Sequence, residues 1–238
     1  MEFGSPAILA AVAAHAERGV RGGFDVEFSK PDSASVSSYL SRMRLGDRLT
    51  EIGVEHGLAD VRSHDTQDRL LELSQFNRDS VESIATHVFE KFKDRNRAAA
   101  VVLFESITEF SQNVIDHSRR STGFALAQDL RHAPSNTKRV WFAVSDSGRG
   151  FAQSLRHLGA TTSLHALEMA VQGGHSSLPE SGRGWALSRL AQQVVQMGGG
   201  FNMLSGDGTL MMDARRRYPR SYPRPMYGSL IEAWIPLS

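Results

Sequence analysis

Three short stretches of this 238-residue chain bring together side chains that could do chemistry. In "SITEFSQNVIDHSRR", residues 106–120, Glu109, Asn113 and His117 recur every fourth position. At roughly 100° per residue they form one polar row along a helix flank, suited to hydrogen bonding and proton transfer at a cavity beside the core. In "SDSGRG", Asp146 ends an apolar run and is followed by Gly148 and Gly150. A carboxylate at a strand end can accept a hydrogen bond from an exocyclic amine such as that of adenine. The glycines allow positive φ and a close backbone approach to a ligand. In "SGRGWALSRL", Gly182, Arg183 and Gly184 stand just before a helix, where free amides and the helix dipole favour a phosphate. Taken singly, the three also read as a polar helix edge, a strand-ending turn and an ordinary helix start.

The elements that must position these groups can be read from periodicity. Leu103, Ile107, Phe110 and Val114 make an apolar stripe that turns the polar row to the helix flank. A preceding helix, "DSVESIATHVFEKFKDRN", opens at Asp79 or Ser80. "GFALAQDL" and "KRVWFAVSD" read as strands joined around residues 134–136. Two short helices and the Gly/Ser-rich "QGGHSSLPESGRG" lead to the helix "WALSRLAQQVVQM", and "GFNMLS" and "GSLIEAWIPL" end the pattern as strands. Between them, "DARRRYPRSYPRPMYGS" reads as a loop that interrupts the terminal strands. Its five arginines and three tyrosines suit a grip on phosphates or a partner, and its three prolines suit a stiff, solvated hairpin loop.

The first third has an α/β rhythm without a chemical motif. It comprises a helix over 6–18, a strand "FDVEFS", a helical stretch broken near Gly46 and a strand "RLLELSQF". Helices followed by a mostly antiparallel sheet predict an α+β protein, an α/β sandwich with its helices on one face. "MEFGS" resembles a cloning scar and stands outside the fold.

Charge and composition narrow the function classes. The 27 basic and 26 acidic side chains leave a net charge of +1, a poor match for nucleic acid or an anionic membrane. Without cysteine there are no disulfides, thiolate metal sites or thiol nucleophiles, which suits a reducing, cytoplasmic setting. "PAILAAVAAHAERG" is too short to span a bilayer and lacks a basic leader.

Glu-x-x-x-Asn on a helix, Asp-x-Gly-x-Gly after a strand and Gly-x-Gly opening a helix follow the order of the GHKL, or histidine kinase-like, ATPases. The chain resembles that superfamily from about residue 79 to 238, with an ATPase domain similar to those of histidine kinases and anti-sigma-factor kinases. The resemblance implies a Bergerat-type two-layer α/β sandwich over 78–238, a bound ATP and Mg²⁺. It implies that Asn113 ligates Mg²⁺ and that Glu109 activates the attacking water or hydroxyl. Asp146 would read the adenine amine, with room made by Gly148 and Gly150. Gly182, Arg183 and Gly184 would hold the phosphates beneath a lid over about 151–181, with His117 beside them. A regulatory protein partner and a homodimer are among the implied assemblies.

The pattern also departs from the family. Asp116 stands where histidine kinases often carry a cation, and Gly184-Trp185-Ala186-Leu187 replaces the usual Gly-Leu-Gly-Leu. No segment resembles the hairpin with a phospho-accepting histidine. Residues 1–77 resemble, through "YLSRM" and "LLELSQF", the small STAS-like region that precedes such domains in some bacterial regulators. Two functions follow as expectations. One is an ATPase or protein kinase; the other is a nucleotide-gated binding module without turnover.

Overall fold

In the computed structural model, residues 6–60, 70–132, 137–173, 185–215 and 217–237 are described. The N-terminal third holds helices α1 (Pro6–Arg21), α2 (Ala34–Arg42) and α3 (Leu45–Ile52). Two short strands, β1 (Glu27–Phe28) and β2 (Glu55–His56), pair in parallel beside them. The break expected near Gly46 falls earlier, between α2 and α3, where Arg44 takes a left-handed φ of 62°. Gly46 lies within α3, against the ring of His56.

The chain continues through β3 (Leu70–Asn77), α4 (Val81–Phe92), α5 (Arg97–His117), β4 (Thr122–His132) and β5 (Thr137–Asp146). Then come α6 (Gly150–Leu155), one 3-10 turn, α7 (Ser163–Gln172) and α8 (Ala186–Gln196). A long hairpin, β6 (Gly200–Asp213) with β7 (Arg217–Pro236), ends the described chain.

Five strands in the order β3-β4-β5-β7-β6 make one antiparallel sheet. Phe142 and Val144 of β5 face one side with Ala125 and Ile231, while Ala143 faces the other with Phe124 and Leu230. Both sides are buried, so the strands read in sequence as continuous apolar runs rather than alternating ones. The expected mixed α/β sandwich is present, but its helices cover both faces rather than one. On the first face lie α4, α5, α7 and α8. On the second, α1 crosses β4, β5 and β7. Its fully buried Ala10, Ala13 and Ala14 let the helix approach the sheet closely. β3, which reads with the N-terminal third, is the edge strand of this sheet and pairs with β4. The amide of Ala7 at the start of α1 donates to Glu232 Oε1 on β7, at 3.3 Å. A buried carboxylate is favoured there by the positive end of the helix dipole.

The stretch expected as an interrupting loop is mostly strand. Past Ser205 and Ser229, β6 and β7 leave β5 and pair only with each other, out to Met212 opposite Arg217. Pro219 stands opposite Leu210, while Pro223 and Pro225 fall where the register shifts between the Gly208–Ser221 and Gly206–Met226 pairs, an irregularity that admits residues without an N–H. Among the described residues, no helix is long and apolar enough to cross a membrane.

Candidate functional site

Helix α5 carries the polar row. Its start is capped by Asn96, whose Oδ1 accepts the Ala99 amide at 3.0 Å. Leu103, Ile107, Phe110 and Val114 are all buried against the sheet. The Phe110 ring stacks on Phe142 and tilts against Phe201, with centroids 5.9 and 5.6 Å away. These contacts fix the rotation of α5 about its axis. Glu109, Asn113 and His117 consequently line a cavity of about 350 Å³ on its flank. Eight helical steps of about 1.5 Å each spread the row over roughly 12 Å.

Asp146 sits at the cavity floor, only 1% exposed. The Gly148 amide donates to Asp146 Oδ1 at 2.6 Å, the Ser229 hydroxyl donates to Oδ2, and the Ser229 amide bonds the carboxylate too. A carboxylate offers about four acceptor positions, so these three donors leave one for a ligand. Burial pushes the Asp146 carboxyl above its ordinary value. The hydrogen bonds from Ser229 and Gly148 oppose that rise, while the charge of Glu17 adds to it. Val144, Ile231 and Leu187 supply apolar walls around this acceptor. A single oriented acceptor between apolar walls is what a flat base with an exocyclic amine requires.

The glycines serve protein packing before any ligand. A Cβ at Gly148 would overlap the Ser118 carbonyl, and one at Gly228, where φ is +84°, would overlap that of Asp146. Gly148 therefore makes room for the end of α5. Gly150, at φ +71°, opens α6 and meets Ser205 and Gly228. The Arg149 amide donates to the Ser118 carbonyl at 3.1 Å, and its Nε donates to the His117 carbonyl at 2.7 Å. The helix motif and the strand-end motif, 33 residues apart from Asn113 to Asp146, are thereby tied into one unit.

Gly182, Arg183 and Gly184 lie outside the described residues, as does the last part of the expected lid. The earlier part of that lid, α6 and α7, packs on the core, and the Phe151 amide donates to Ser205 Oγ at 2.9 Å. Ala186 and Leu187 at the start of α8 line the cavity.

Several site residues carried no sequence signal. Ser229 and Gly228 come from the last strand, and only β5–β7 pairing places Ser229 opposite Asp146. Glu17 of α1, 4% exposed, accepts the Ser147 hydroxyl and reaches Thr122 Oγ1 at 3.4 Å, buttressing the Asp146 loop from the second face. Arg78, before α4, reaches Asp116 at 2.7 Å, and both line the cavity. Asp116 accordingly meets the cavity with a cation bound to it. Among the described residues, no group of three or more histidine, aspartate or glutamate side chains is placed to hold a metal alone. Comparison with protein-family models gives no match, and comparison with curated proteins gives no relative.

Proposed function

We propose that this chain is a Mg²⁺-dependent ATP-binding regulatory protein of the GHKL type, with a Bergerat-type ATPase sandwich, working in the cytoplasm. It hydrolyses ATP or passes the γ-phosphoryl group to a partner protein. One observation carries this reading: Glu109, Asn113 and His117 from α5 and Asp146 from β5 line the same cavity. Those are the positions that the resemblance assigns to catalysis, metal, phosphate and base.

Asp146 would accept the adenine amine at its remaining acceptor position, with the base held between Val144, Ile231 and Leu187. Glu109 would take the proton of the attacking water or hydroxyl as the new phosphorus–oxygen bond forms and the bond to the β-phosphate oxygen breaks. The single amide of Asn113 fits a Mg²⁺ that arrives with the nucleotide, because that ion prefers phosphate oxygens, water and few protein ligands. When bound, Mg²⁺ would neutralise phosphate charge. His117, near Arg78 and Asp116 in the cavity lining, is placed to bind phosphate oxygens.

A nucleotide-gated binding module without turnover is the second reading. It is favoured by Asp116, which adds a carboxylate to the cavity lining and occupies Arg78. Calorimetry with Mg-ATP and Mg-ADP, followed by a phosphate-release and phosphotransfer assay, separates the two. Binding with turnover that is lost in Glu109→Ala supports the enzyme. Binding without turnover, tighter for one nucleotide, supports the module. No nucleotide binding by the folded protein rejects both.

A further inference from the structure

A second cavity, of about 520 Å³, lies behind the Asp146 loop and is lined by Arg18, Arg119, Arg120 and Arg149 with no aspartate or glutamate among its lining residues. The four arginines come from α1, the α5–β4 turn and the β5–α6 loop, so only the fold brings them together. Among the described residues none of the four forms an ion pair. The whole chain carries +1, so this is a local excess of positive charge rather than a share of a basic protein.

Like charges gathered without a counter-ion are held at a cost that a bound anion removes. Two details sharpen the point. Arg120 has a buried Nε without a hydrogen-bond partner. Burial lowers the Arg149 guanidinium below its ordinary value, and the Arg119 charge pushes in the same direction. Arg149 is committed through Nε to the His117 carbonyl and through one terminal nitrogen to Ser154 Oγ at 3.3 Å, while Arg119 is exposed at a left-handed φ of 62°. The Arg18 guanidinium lies 5.4 Å from the Tyr227 ring centroid, and Tyr227 and Met226 give the cavity an aromatic and apolar side.

We infer that this arginine cavity binds a phosphomonoester, with the guanidinium groups on the phosphoryl oxygens and the attached organic group against Tyr227 and Met226. Guanidinium matches the geometry and charge of a phosphoryl dianion, and the cavity is larger than an inorganic ion needs. Two sources offer this chemistry: a free phosphorylated small molecule and a phosphorylated side chain of a partner polypeptide. Ser118 lines both cavities, so an anion here touches the unit that positions His117 and Asp146.

The test is calorimetry on the full chain with phenyl phosphate and with a phosphoserine peptide, each beside its unphosphorylated counterpart. The variants are Arg119→Asn, which tolerates the left-handed backbone, and Arg120→Gln, singly and together. The proposal predicts binding of at least one phosphorylated probe, at least tenfold weaker in the double variant, with an unchanged melting temperature. Loss with the double variant also separates this cavity from the Asp146 cavity, whose lining includes neither residue. Tighter binding of the peptide assigns the site to a phosphorylated partner, and equal or tighter binding of phenyl phosphate assigns it to a small molecule. Absence of binding of either probe, or equal binding by wild type and the folded double variant, overturns the proposal.

Discussion

Replacing Asp146 with asparagine is the most direct probe of the proposed site, because it keeps shape and removes charge. The substituted side chain can still accept the Gly148 amide, now 2.6 Å from the carboxylate, the Ser229 hydroxyl can turn to accept from the new amide, and the Ser229 backbone N–H must share the remaining carbonyl oxygen. The fold should therefore survive. What is lost is one charge-assisted hydrogen bond to the exocyclic amine, worth about 1.5–3 kcal/mol, or roughly 10- to 150-fold in affinity. A second effect is more specific. Guanine presents a carbonyl where adenine presents its amine, so the wild-type carboxylate should reject GTP while an asparagine amide can donate to it. ATP affinity should fall, GTP affinity should hold or rise, and the preference between them should narrow. Calorimetry with both nucleotides at fixed Mg²⁺, and a melting curve for each protein, makes the measurement. Unchanged ATP affinity in a folded Asp146→Asn protein would refute the placement of the base, as would a wild type that binds both nucleotides equally.

The same residue sets a pH dependence. Burial raises the Asp146 carboxyl, so the folded state binds that proton more tightly than the unfolded state. Its stability contribution is fully present below the ordinary aspartate range and is lost as pH rises through the raised value. The melting temperature of Asp146→Asn minus that of wild type should increase across that window; a flat difference contradicts the burial argument. Glu109→Gln should keep Mg-ATP affinity and lower turnover by about 10²- to 10⁴-fold, read by phosphate release or phosphotransfer. Gly228→Ala should cost about 3 kcal/mol, or roughly 6–12 °C of melting temperature, because its φ is +84° and a Cβ would overlap the Asp146 carbonyl. Arg78→Ala should leave the melting temperature nearly unchanged, since the Arg78 side chain is 62% exposed, and weaken Mg-ATP binding roughly two- to fivefold by removing one cation from beside Asp116. Equal affinity in that variant would separate the pair from the nucleotide.

Much of the cavity's first wall was legible because it is local. The spacing of Leu103, Ile107 and Phe110 predicts which side of α5 is buried, and Glu109, Asn113 and His117 follow from it. Asp146 was legible as the polar end of an apolar strand. What sequence could not show depends on strand pairing and on contacts across long chain separations. Ser229 and Gly228 meet Asp146 only because β7 lies beside β5. Glu17 supports that loop only because α1 crosses the second face of the sheet. The alanine-rich "AILAAVAAHA" signals an amphipathic helix, but small residues do not name the surface they will meet. Local pattern also misread the Arg/Tyr/Pro stretch: proline argues against a central strand, yet a two-stranded arm with a register shift between Ser221 and Met226 admits it.

The contact between Ala7 and Glu232 joins residues 225 positions apart. At the usual pace of ribosomal synthesis, about 5–20 residues per second, α1 leaves the ribosome roughly 10–45 s before the strand that receives it. Through that interval the apolar side of α1 has neither β5 nor β7 to cover it for most of the time, and the central sheet cannot close. Nascent chains of this protein should therefore depend on a holding chaperone during translation. Slowed elongation over the middle of the message should lower the soluble yield without changing the stability of the finished molecule.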